Sequence, residues 1–232
     1  MSKWEKLGLF SICSFVLISL YYIYSLAETN KTSSIKLQEW NKQMQLVTIN
    51  TPDQTILRQP AQQVIFPVDE KIKKFMDEMA VFFSHLESPY GKPAGLAAPQ
   101  IHVPLSIIIL QIPPEAKQVR QDVFDTLPPT FLINPSYVPL LAEGKTKDWE
   151  GCYSVPERMG EVYRYRAIQY EAYTVDGIKI TGIARGFLAR LIQHEVGHLN
   201  GELYTDLLGV DSRYGAVNEM MAIRKRELNN TA

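Results

Sequence analysis

Cysteine is nearly absent. Of 232 residues only Cys13 and Cys152 carry a thiol, so no disulfide framework holds this chain together. An excess of one charge is also missing: 24 Lys and Arg stand against 25 Asp and Glu, a net charge of −1. Proteins that live on phosphate contacts carry a basic surplus, so nucleic acid is not an expected partner. Glycine and proline number 13 and 14, too few for a collagen-like or low-complexity chain. No repeat at a solenoid or propeller period is visible. What remains is 46% hydrophobic and 21% charged, a globular composition of a length that favours one substantial domain.

The first 27 residues depart from that average. Leu7 to Ala27 contains no charged residue and follows Lys3 and Lys6; some 20 apolar residues suffice to cross a bilayer as a helix. Ser25-Leu26-Ala27 offers the small residues of a signal-peptidase site, while Tyr21, Tyr22 and Tyr24 resemble an interfacial aromatic belt that favours a retained anchor. Residues 28–46 are a polar linker, 47–208 read as the globular domain, and 209–232 as a tail with helical character around Met220, Met221 and Ile223. Within the domain, Ile72, Phe75, Met76, Met79, Ala80, Phe82 and Phe83 recur at helical spacing over 70–85. Leu105 to Leu110 is a buried strand. Val162 to Val175 alternates and runs into Asp176-Gly177, a hairpin turn, with Ile178-Lys179-Ile180 as the returning arm. Phe187 to Leu199 is an apolar helix, stopped by Asn200-Gly201. Helix, strands, hairpin and helix in that order make an α+β fold.

The chemistry concentrates in three strings. Gln193-His194-Glu195-Val196-Gly197-His198 places two imidazoles four residues apart on one helix face, where both can reach one ion. A catalytic metal site needs a third protein ligand and an open position. Cys152, in Glu150-Gly151-Cys152-Tyr153-Ser154, is the thiol outside the apolar segment, and either completes a Cys/His/His set or is an ordinary buried cysteine. Gly95-Leu96-Ala97-Ala98-Pro99-Gln100 follows no helical or strand period; small residues permit close backbone approach, and the Gln amide is a neutral donor for an oxyanion.

In this order and spacing, the three strings resemble the peptide deformylase family, which removes the N-formyl group from the initiator methionine of nascent bacterial and organellar proteins. Leu57-Arg58-Gln59-Pro60-Ala61 and Asn134-Pro135 extend the resemblance, which covers about 47–208. It implies antiparallel sheets around a central metal-binding helix. It also implies Cys152, His194 and His198 as ligands of one divalent ion, Fe(2+) or Zn(2+), and Glu195 as the general base. Gln100 and the Tyr153 N–H would then form the oxyanion hole, with Gly95 admitting a formylated peptide strand.

Three positions depart from that pattern. Pro93 stands where the family has a glycine, Tyr153 where it has leucine, and Gly197 where it has an aspartate. The aspartate is expected to pair with an arginine, here Arg164, which is left to water or to another acid such as Glu161 or Glu150. The N-terminal segment places the protein at a bacterial membrane or on its periplasmic side, with the cytoplasm as the alternative. Two further functions stay open: an exported metal-dependent amidohydrolase acting on other N-acylated peptides, and a catalytically weak protein that captures formylated peptides. Glu195 speaks against the latter, because a binder has no use for a general base.

Overall fold

A computed structural model describes residues 44–87 and 92–231. The expected signal or anchor at 1–27, with Cys13, lies outside the described residues, as does the linker up to residue 43. Among the described residues no helix is long and apolar enough to cross a membrane.

Helix α1 (Glu70–Ser84) starts where Asp69 accepts the Ile72 N–H at 2.8 Å, an N-cap that satisfies one of the helix's orphan donors. Its stripe buries Phe75, Met76, Met79 and Phe83. The all-apolar Ile107–Leu110 run lies in β2 (Ile107–Ile112), covered on both faces. Strand β2 pairs antiparallel with β1 (Gly95–Ala97) on one side and β3 (Leu127–Pro139) on the other. Beyond β3 come β6 (Ala167–Tyr173) and β7 (Lys179–Arg185), giving a five-stranded sheet in the order β1-β2-β3-β6-β7. Strands β4 (Lys145–Cys152), β5 (Val155–Tyr165) and β8 (Tyr214–Ala216) form a second, three-stranded antiparallel sheet. The short α2 (Ala116–Val119) lies between β2 and β3, and α4 (Val217–Thr231) follows β8. The architecture is α+β with antiparallel sheets.

Two expectations need correction. The alternating run 162–175 is not one arm of a hairpin. Val162 to Tyr165 closes β5 in the small sheet, and the hairpin consists of β6 and β7 in the large one. The break falls at Arg166, whose N–H donates to Gly144 O at 3.0 Å and whose carbonyl accepts from the Gly186 N–H at 3.1 Å, so its backbone is tied to loops instead of a ladder. The compact unit also runs past 208: β8 pairs with β5 from Arg158↔Ala216 to Gly160↔Tyr214. A three-residue strand leaves no readable period.

Helix α3 (Gly186–Leu199) packs against both sheets, touching β1, β2 and β7 of one and β5 of the other. Its Ala189, Leu191, Ile192, Val196 and Leu199 join Ile108, Leu110, Ile112, Leu132 and Ile168 in the main core. Burying each of the larger aliphatic chains contributes about 1.5–3 kcal/mol relative to exposure. Gln193 fastens the helix to the end of β5, its amide accepting from the Tyr165 N–H at 3.0 Å and donating to Tyr165 O at 2.9 Å.

Candidate metal centre

Three elements bring the sequence strings together. Cys152 ends β4, while His194 and His198 project from successive turns of α3. The ligand-type atoms of these three residues all lie within 4.8 Å of one another, and Cys152 Sγ is 3.2 Å from His198 Nε2. One thiol and two imidazoles are the donor set of a catalytic site, which keeps a position open for water or substrate. The residues fit a divalent ion, and the electrostatics agree. Burial, reinforced by nearby His194, holds the His198 pKa well below its usual value, which keeps a ring nitrogen available for coordination.

Glu150 orients the other histidine. Its Oε2 is 2.8 Å from His194 Nδ1, which leaves Nε2 to face the Cys152 sulfur. Burial opposes charge on this carboxylate, but Arg164 and His194 beside it hold its pKa far below the usual range. Arg164 donates to both oxygens of Glu150, Nε and Nη2 each at 3.0 Å, and Arg190 Nη1 adds a third bond at 2.7 Å. All four side chains are almost wholly buried, so this is a fully paired interior network. At His194, burial disfavours the cation, yet the Cys152 sulfur and Glu150 outweigh it and push the pKa up to about 10.

Arg164 thus has Glu150 as its acid, while Glu161 is taken by Arg213, whose Nε donates at 2.8 Å. Sequence reasoning reached Glu150 as a partner for Arg164 but missed its grip on His194. Arg190 was missed too, although its i−4 spacing from His194 was a readable signal that it shares the ligand face.

Glu195 lies between the two candidate ligand histidines on α3. Its side chain is buried, Oε2 has no hydrogen-bond partner, and burial pushes its pKa up to about 7. A Cβ at Gly95 would come within 2.3 Å of Glu195 Oε1. The glycine therefore makes room for this carboxylate. Gln100 is fixed from both ends: its Oε1 accepts the Ala97 N–H at 2.9 Å, and its Nε2 donates to Ser154 Oγ at 3.1 Å and lies 3.5 Å from Cys152 Sγ. The Gln100 amide is thereby aimed at the ligand cluster. Ser154, two residues past the ligand, is a positioning group that the sequence reading passed over. Tyr153, half-buried, follows Cys152 directly at the end of β4.

The sequence matches the model of the polypeptide deformylase family over residues 44–213. Among curated proteins, peptide deformylase 2 of Rickettsia conorii is 37% identical over 190 residues, covering 80% of this chain and 90% of that relative. Peptide deformylase 2 of Pseudomonas syringae pv. tomato is 41% identical over 142 residues, 61% of this chain and 76% of the relative. Among solved structures, a class I type b peptide deformylase from Acinetobacter baumannii superposes with a TM-score of 0.59 at 26% identity, covering 71% of this chain and 99% of that one. A Synechococcus elongatus peptide deformylase in complex with actinonin gives 0.58 at 28% identity, over 72% and 82% of the two chains.

Proposed function

The chain belongs to the polypeptide deformylase family, and on that premise we propose that Cys152, His194 and His198 hold the divalent ion with which it hydrolyses the N-formyl group of formyl-methionyl peptides, releasing formate. The observation that carries this reading is the convergence of one thiol and two imidazoles beside a buried, unpartnered carboxylate oxygen of Glu195.

When bound, the ion supplies Lewis acidity to the formyl carbonyl and to the attacking water. Glu195 takes the proton from that water, and a carboxyl whose pKa lies near 7 is suited to accept a proton and give it back. It then returns the proton to the departing amine, so that water and formamide become formate and a free α-amino group. Gln100 Nε2 and the Tyr153 N–H donate to the carbonyl oxygen as negative charge builds on it. Glu150 keeps His194 in the tautomer that presents Nε2.

The thiolate favours the softer divalent ions, Fe(2+) and Zn(2+), over Mg(2+) or Ca(2+). The apolar Leu7–Ala27 segment supports attachment to, or export across, a bacterial membrane; cell fractionation locates the protein. Formate release from formyl-Met peptides and acetate release from acetyl-Met peptides, both by the Fe(2+)- or Zn(2+)-loaded protein, test the activity. Turnover confined to the formyl peptide is expected. A preference for acetyl-Met, or binding without formate, would reject the reading.

A further inference from the structure

Helix α3 ends in a Schellman motif. The Gly201 N–H donates to His198 O at 3.2 Å, the Glu202 N–H to Gly197 O at 2.8 Å, and Gly201 takes the required left-handed φ of 78°. This geometry stacks residue 202 on residue 197, a pairing usually made by two apolar side chains. Here the pair is a glycine and a glutamate. A Cβ on Gly197 would lie 3.2 Å from Glu202 Oε1 and 3.8 Å from Glu202 Cβ. The glutamate side chain therefore lies flat across the bare turn of helix just before the ligand His198. Its carboxylate ends 3.6 Å from Arg164 Nη1, the nitrogen that Arg164 does not use on Glu150. Arg164 is buried and Glu202 is half-exposed. An unbroken chain of polar contacts thus runs from Glu202 through Arg164 and Glu150 to His194.

We infer that Glu202 is a positioning residue of the metal centre. It fixes the remaining nitrogen of Arg164, and with it the rotation of the guanidinium that grips Glu150 and the orientation of the His194 ring. Glycine at 197 leaves room for this, because a Cβ there would come 3.2 Å from Glu202 Oε1 and push the carboxylate aside by a few tenths of an ångström, and a longer side chain by more. The inference rests on the metal-site reading above and deepens it. Glu202 and a carboxylate at 197 are alternatives: either one supplies the negative charge to Arg164, and both together crowd like charges around one guanidinium.

The test uses the full-length chain as wild type, Glu202→Gln, Gly197→Asp and the double variant. Co(2+) affinity is measured by chelator competition, and thermal unfolding is followed without metal. Removing a direct partner of a ligand costs roughly 10–100-fold in metal affinity, so one further contact along, Glu202→Gln is expected to lose about 3- to 10-fold. Gly197→Asp is expected to weaken Co(2+) binding as well, and the double variant to return to within about twofold of wild type. Glu202→Gln with wild-type Co(2+) affinity would overturn the inference, even if its melting temperature falls, since that is a purely structural role. A double variant that shows the summed losses of the two singles would overturn it equally. Should the wild type itself bind no Co(2+), the metal-site reading fails and takes this inference with it, an outcome distinct from failure of the Glu202 variant alone.

Discussion

Glu195 and the three candidate ligand residues answer to different measurements. Glu195→Ala removes the proposed proton carrier and leaves Cys152, His194 and His198 in place, so metal content is expected to persist while kcat falls by about 10²–10⁴. His194→Ala or His198→Ala should lose the metal first. Metal analysis beside formate release separates the two classes. Gln100→Leu takes away the proposed oxyanion donor, and kcat is expected to drop about 10²–10³. The same change strips a partner from the buried Ser154 hydroxyl and from the Ala97 N–H, so a stability loss of about 1–3 kcal/mol should accompany it, read by thermal unfolding.

Helix α3 and the strands around it decide whether these residues meet. The two histidines can face one ion because they are a turn apart, yet the sulfur arrives from β4 across the interface between helix and small sheet. The C-terminal end of α3 is the vulnerable point. Gly201 holds a φ of 78°, and a Cβ there would sit 2.7 Å from the backbone carbonyl carbon of Arg58. Gly201→Ala meets about 1–2 kcal/mol of left-handed strain together with that clash, which only backbone movement relieves. A lowered melting temperature is expected, with weaker metal binding because His198 sits three residues upstream. An unchanged melt would place the strain elsewhere.

Across the whole molecule, ion pairs join elements that are far apart in sequence. Asp148 on β4 pairs with Arg120, from the stretch before β3, and approaches Arg190 of α3 at 4.0 Å. Burial pushes the Asp148 pKa up, but the two arginines overcome it and leave it below the ordinary value. A carboxylate depressed in the folded state stabilises fully above its unfolded pKa of about 3.9 and loses that contribution as pH falls through the folded value. Asp148→Asn should therefore be less stable than wild type at neutral pH, with the gap closing in acid; unfolding curves from pH 7 down to pH 2 check it. An ion held as proposed would act at the same scale, since the candidate ligands come from both α3 and the small sheet. Chelation is expected to lower the melting temperature, by an amount equivalent to about 2.7 kcal/mol where free metal had exceeded its Kd 100-fold.

Local pattern alone determined the pieces: the α1 stripe, the β2 run, the ligand helix with its Asn200-Gly201 stop, and the three strings that carry the chemistry. Each is a periodicity or a spacing within a dozen or so residues, and backbone geometry converts such spacings directly into faces. The tertiary structure decided how the pieces answer one another. It gave Glu150 to His194, Arg164 and Arg190 at once, divided residues 162–175 between two sheets at Arg166, and made a strand of residues 214–216. Gly197 reads in the sequence as a missing acid, and only the fold lays the Glu202 carboxylate in its place. These contacts join positions whose separation in sequence follows no helical or strand period. The need to pair buried polar groups such as Glu150, Arg164 and Arg190, which acts only once the chain has closed around them, selects the contacts around His194.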